Sequence, residues 1–376
     1  MRRALQVAAV AAAASIIGAF LSPAEAYHAY LWSWWFWIGI AIGCGQLLML
    51  FQLTGGAWGF ISQRILEAGT RTLPYMFVLA LPLVIGMGAI YPYAQPEIVR
   101  GSHALQHKTP YLNVPFVLVR LAVYFAIWWG LAHLMNRWSL KQDETADLKY
   151  LRLRKILAGP GIILYSLAVT FAAVDWFMTL EPEWFSTMYP GFHLVGQVLT
   201  AIAVVIIAAR YVAERAGRPE VFTPQAFHDL GNLLLTFVVL WAYVQVAQLV
   251  VVWQGNLPKE ITWYLNRTRG NWAWIATILV VFHFGLPFFI LLSRKSKLRN
   301  RKLARIAIYI LLIHMLDYYW NVEPAFHSGL YVHWMDFAAP AAVGGVWVAL
   351  FVRELGRRRT LPEHDPRLEQ ALERAT

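Results

Sequence analysis

Apolar residues gather along this chain in ten long runs separated by polar links: Ala4–Leu21, Leu31–Leu53, Thr72–Tyr91, Asn113–Leu134, Ile156–Met178, Phe192–Val212, Phe227–Trp253, Trp272–Leu292, Ala304–Leu316 and Trp334–Val352. About twenty apolar residues make a helix long enough to cross the hydrocarbon of a bilayer. The pattern therefore predicts an all-α integral membrane protein with about ten transmembrane helices. The ninth run is short and reaches full length only if Asp317–Trp320 continue its helix. The first run has two readings. Arg2 and Arg3, an alanine-rich stretch and a Pro-Ala-Glu-Ala ending have the look of a signal peptide, but the run exceeds a usual signal core and reads better as a retained helix. The charged residues 353–376 predict a short solvated helix or a disordered tail.

Composition sharpens the class. With 59% hydrophobic and only 14% charged residues, the chain has more apolar surface than a soluble protein of this length needs. The net charge of +11 would suit a nucleic-acid partner, but the basic residues sit in the links. Arg137, Lys141, Lys149, Arg152, Arg154 and Lys155 follow the fourth run, Arg294 to Lys302 hold six more after the eighth, and Arg353 and Arg357–Arg359 follow the tenth. The links after the first, fifth and ninth runs hold none. Ten crossings put every basic cluster on one side, which the positive-inside rule makes cytoplasmic together with both termini. The expected partner is the lipid bilayer, not nucleic acid. The single cysteine, Cys44, excludes a disulfide frame, a Cys-ligated iron–sulfur cluster and covalent c-type haem.

The stretch Val174–Tyr189 (VDWFMTLEPEWFSTMY) reads as a corner where the chain re-enters the membrane, with an aromatic belt and Asp175 left at hydrocarbon depth. Arg120 lies about 10 Å below the outer end of the fourth run at 1.5 Å per residue, a depth comparable to that of Asp175. A guanidinium and a carboxylate buried at one depth invite pairing, since either alone is costly. The pair reads either as a lock between two helices or as a proton-exchanging acid tuned by its arginine. His193 opens the sixth run. His314 and Asp317 are three apart and share a helix face, with Glu323, His327, His333 and Asp336 following; such a cluster suits a proton exit or a quinol head-group site. Its spacing matches no standard metal-ligand pattern, and no metal is expected. His283 sits mid-run, as a helix-to-helix hydrogen bond, a relay position or a haem ligand; b-type haem is disfavoured because His133 and His228 lie nearer the cytoplasmic end. His228 and Asp229, with Asn232 one turn on, would form an inner mouth. Trp241, Gln245 and Gln248 form a polar stripe of the kind that joins membrane helices. Leu53–Gly59 (LTGGAWG) predicts a tight turn at Gly55 and Gly56, and Gly255–Asn271 suits an interfacial segment.

Several of these stretches in this order carry a resemblance: LTGGAWG, RTLP at Arg71–Pro74, HKTPYLNVPF at His107–Phe116 with Arg120 following, NRWS at Asn136–Ser139, the corner itself, FHDLGNLLLTFVVLWAY at Phe227–Tyr243 and GNLPKEITWYLNR at Gly255–Arg267. Together they resemble the ActF subunits of alternative complex III, a bacterial quinol:cytochrome c oxidoreductase. That family is in turn similar to the NrfD/polysulfide-reductase membrane subunits. The resemblance implies a core of two four-helix bundles with peripheral helices, a bacterial inner-membrane location and no redox centre of its own. It also implies a quinone or quinol (ubiquinone or menaquinone) as the molecule handled. The implied partners are a second NrfD-like membrane subunit, an iron–sulfur subunit and c-type cytochrome subunits. A quinone pocket or a proton path at Asp175, with Arg120 as its partner, is the leading expectation. A secondary transporter with breaks at Gly159–Gly161 and Gly285–Pro287, or a structural anchor for peripheral cytochromes, are the rivals.

Overall fold

A computed structural model describes residues 2–214, 219–362 and 364–368, and every regular element among them is helical. Nine helices among the described residues are long and apolar enough to cross a membrane, the mark of a multi-pass membrane protein. We number the principal helices α1 (Arg2–Leu21), α2 (Pro23–Thr54), α3 (Ala57–Thr70), α4 (Val114–Thr145), α5 (Leu148–Trp176), α6 (Tyr189–Ala213), α7 (Pro224–Gly255), α8 (Trp272–Leu292), α9 (Asn300–Val322) and α10 (Met335–Gly356). The apolar part of α1, Ala8–Leu21, is shorter than the nine. It packs along α10, where a Cβ on Gly18 would fall 2.1 Å from Sδ of Met335. Helix α9 continues through Asp317–Trp320, as full length requires.

Helices α2 and α6 form the centre. Over their apolar windows 83% and 89% of residues are buried, against 28% and 22% in α7 and α8, which turn most of their surface outward. α2 packs against α3, α5, α6 and α10, α4 against α5, and α6 against α7 and α9. Small residues allow the central approach: a Cβ on Gly43 would lie 2.1 Å from the carbonyl oxygen of Gln197.

The third crossing departs from its expected bounds. It spans Ala57–Ile85 rather than Thr72–Tyr91, made of α3 followed by the short helices Leu73–Val78 and Leu81–Ile85. The chain reverses directly after α2 through Gly55 and Gly56, whose φ values of +70° and +105° suit glycine. Arg64 and Glu67 make the following segment read as a polar link, yet both are buried because they satisfy each other. Glu67 accepts hydrogen bonds from Arg64 Nη1 at 2.7 Å, Ser139 Oγ at 2.5 Å and Gln63 Nε2 at 3.1 Å, and Arg64 also pairs with Asp143.

The tail is a second correction. Its described part is not solvated but folds over this end of the bundle, with Leu361 and Leu368 buried. Arg358 reaches Glu67 at 3.4 Å, Nδ1 of His364 lies 2.7 Å from the Asp143 carbonyl, and Arg367 bridges Asp365 and Gln52. Charge that looks solvated in the sequence finds buried carboxylates to pair with.

Candidate functional site

The corner joins α5 to α6 through a 3-10 turn at Met178–Leu180. Trp184 stacks on Trp263 with ring centres 5.3 Å apart and donates to the Glu260 carbonyl at 3.0 Å. Arg267, also fully buried, bonds Glu181 and the Asn321 carbonyl, each at 2.6 Å, over the Trp263 ring. The segment Gly255–Asn271 thus contains a helix, Thr262–Thr268, docked on the corner.

Arg120 and Asp175 do pair. Nε and Nη2 of Arg120 donate to the two carboxylate oxygens at 2.7 and 2.9 Å, and Tyr124 adds a third bond at 2.7 Å. The remaining Nη1 donates to the Tyr111 carbonyl at 2.8 Å, and the guanidinium is held between the rings of Tyr111 and Phe116. Asp175 is fully buried. A fork-to-fork pair with every arm engaged favours fixed geometry over proton exchange.

A different group gathers between α6, α7, α8 and α9. In α8 the backbone widens into a π-helical turn over Leu279–Gly285, a local irregularity common at functional sites, which includes His283. Nε2 of His283 lies 2.9 Å from Nδ1 of His314, which in turn is 3.4 Å from Oδ2 of Asp317. Trp241 Nε1 donates to the same carboxylate oxygen at 3.1 Å, and Asn321 donates to the Asp317 carbonyl at 2.8 Å. Opposite, α6 carries Gly196: a Cβ there would sit 2.5 Å from Nε2 of His314, so glycine leaves room for the imidazole. His193, three residues earlier, accepts from Trp35 Nε1 at 3.0 Å and packs, like His314, against Tyr318. All three histidines are buried. Each keeps one ring nitrogen without a protein partner among the described residues: Nε2 of His193, Nδ1 of His283 and Nε2 of His314. Buried polar atoms are ordinarily paired. Three open imidazole nitrogens, one of them on the ring that meets the Asp317 carboxylate, can take up and pass on a proton, since neutral imidazole both donates and accepts.

His228 and Asp229 do not join this group. They lie half-exposed at the start of α7, 3.7 Å apart, with Trp241 about 20 Å further along the helix at 1.5 Å per residue. The polar stripe on α7 divides its work: Trp241 ties it to α9, and Gln248 accepts from Ser186 of the corner at 2.8 Å. Beside α9, a cavity of about 510 Å³ opens between α2, α9 and α10. Trp32, Trp37, Leu316, Tyr319 and Phe337 line it, with Asp336 as its acid. Its size and lining suit a small amphipathic ring compound. His333 donates its backbone N–H to Asp336 at 2.8 Å, while His327 turns away to Glu25 at 3.2 Å and Glu323 at 3.7 Å.

Sequence reasoning picked out His193, His283, His314 and Asp317 and paired the last two on one helix face, but did not join His193 or His283 to them, because no spacing links residues on different helices. It missed Glu25, His28 and the Arg64–Glu67 pair; an acid and a base three apart near an apolar run is the signal that could have flagged the last. Comparison of the chain with protein-family models gives no match, and comparison with curated proteins gives none either.

Proposed function

We propose that this chain is a membrane subunit that conducts protons for a quinol-oxidising respiratory complex and has no redox centre of its own. The observation that carries the reading is the row His283–His314–Asp317, buried between crossing helices at a π-helical turn. His314 shares its Nδ1 between an imidazole and a carboxylate, so a proton can rest on any of three atoms within 3.4 Å. His193 continues the row past Gly196 and Tyr318. The cavity bearing Asp336 and Tyr319 would receive the quinol head group, and the Arg120–Asp175 pair would hold α4 to α5. In this reading Asp317 takes the role that the sequence alone gave to Asp175.

The motifs that resemble the ActF subunits favour placing the chain in an alternative complex III. It would sit there beside a second NrfD-like subunit, an iron–sulfur subunit and c-type cytochromes in a bacterial inner membrane, with both termini cytoplasmic. In this reading α2–α5 and α6–α9 would form two four-helix bundles that meet along α2 and α6, with α1 and α10 outside them. Of the breaks the transporter rival expects, α5 runs on through Pro160, and α8 continues past Gly285 and Pro287 with a π-helical turn that ends at Gly285.

The test is Asp317→Asn in the assembled complex, with quinol:cytochrome c turnover and protons released per electron measured in native membranes. The proposal expects a loss of about 10²-fold in the proton-limited step with subunit composition intact. Wild-type turnover together with wild-type proton yield would remove it.

A further inference from the structure

A second cluster of titratable side chains lies at the corner end of the bundle, outside the histidine row. Glu25 and His28 stand three apart in the first turns of α2, on one face. His327 follows the 3-10 turn Glu323–Ala325 after α9. One ligand atom from each of Glu25, His28 and His327 lies within 4.8 Å of the other two. Nε2 of His327 is 3.2 Å from Oε2 of Glu25 and 3.7 Å from Oε2 of Glu323.

Two polar atoms at this site are left open. Nδ1 of His28 and Oε1 of Glu323 have no hydrogen-bond partner among the described residues, although the two residues are only 8% and 2% exposed. The His28 ring is not free to turn towards another partner. It stacks on Phe326 with ring centres 3.6 Å apart. Charge points the same way. Asp336 stands within electrostatic reach of both Glu25 and Glu323. Among the described residues, the ion pairs of Glu25 and Glu323 are to His327 and to no lysine or arginine.

We propose that Glu25, His28 and His327, with Glu323 as fourth donor, bind a divalent transition-metal ion of the zinc class. Two imidazoles and two carboxylates are a zinc-type donor set, whereas calcium and magnesium favour oxygen alone. Zinc–nitrogen and zinc–oxygen bonds of about 2.0–2.2 Å place neighbouring ligand atoms about 3.3 Å apart, which small side-chain rotations reach from the present spacing. The ion would clamp the start of α2 to the link before α10. The site adjoins the cavity bearing Asp336 but uses none of the histidine row, and its test reads metal rather than turnover.

The experiment uses the purified full-length chain in detergent. It is incubated with zinc chloride, passed through a desalting column, analysed for zinc by mass spectrometry and examined by zinc K-edge absorption. One zinc per chain is expected, with a shell of nitrogen and oxygen at about 2.0 Å, and a melting midpoint that rises with zinc. His28→Ala and His327→Gln should each weaken binding more than tenfold and abolish the rise. His327 and Glu25 are only half-buried, so His327→Gln and Glu25→Gln carry the test if His28→Ala fails to fold. Desalted wild type without zinc, or zinc held equally by the three variants, overturns the proposal.

Discussion

His283 and His314 face each other across α8 and α9 with Nε2 and Nδ1 2.9 Å apart, and both rings are buried. If this contact and the Asp317 carboxylate form one conduit, the three residues fail as a unit. His283→Ala, His314→Ala and Asp317→Asn should each slow proton delivery by about 10²-fold, and any pair combined should be no slower than its worse member. Additive losses would mean separate roles. Proton release by the assembled complex, measured for the three single and three double variants, decides between them.

Gly196 tests the same row from the opposite wall. A methyl group there would stand 2.5 Å from Nε2 of His314, so the imidazole must yield and its contact with His283 must lengthen. Overpacking of this kind costs about 1–3 kcal/mol. Gly196→Ala should therefore lower the melting midpoint modestly and depress proton release far more than the lost stability explains. Thermal melting in detergent, set beside proton release in membranes, reads both.

Much of this arrangement is legible in the sequence, and physics explains where legibility stops. Asp175 and Arg120 could be matched because two charges at one depth in a bilayer have few other ways to be satisfied. His314 and Asp317 could be matched because three residues along a helix return to one face. His283 could not be assigned to them, since hydropathy gives the depth of a residue but not its rotation towards a particular neighbour. The third crossing was misplaced for the opposite reason: Arg64 and Glu67 subtract from the apolar signal of α3, and only the partners Ser139 and Asp143 on α4 make their burial affordable.

The Arg120–Asp175 pair carries a prediction about stability rather than turnover. Removing one partner leaves the other charge buried and unpaired, which costs about 3–5 kcal/mol, whereas replacing both with apolar residues of similar size is often near neutral. Asp175→Leu and Arg120→Met should each lower the melting midpoint sharply, and the double variant should regain most of the loss. Here Tyr124 and the Tyr111 carbonyl would also lose a partner, so recovery should be incomplete. A double variant as unstable as the worse single one would mean that the pair is needed for more than charge balance.

The tail makes the last prediction. Glu67 is fully buried, and besides Arg64 it has Arg358 at 3.4 Å, a residue beyond the end of α10. Arg71 binds Glu354 at 3.2 Å and Asn136 at 3.1 Å in the same cluster, so the tail ties the end of α3 to α4 and α10. A solvated tail would contribute nothing to stability, and Arg358→Ala would be silent. A tail that serves as counter-charge predicts a loss of about 1–3 kcal/mol, the range for a charged hydrogen bond removed from a buried acceptor. Arg64 still neutralises Glu67 in that variant, which keeps the loss well below that of an orphaned charge. Glu67→Gln tests the same contact from the other side: with the carboxylate gone, Arg358→Ala should cost little more. Melting midpoints of the two single variants and the double variant form the cycle, and a coupling energy near zero would return the tail to solvent.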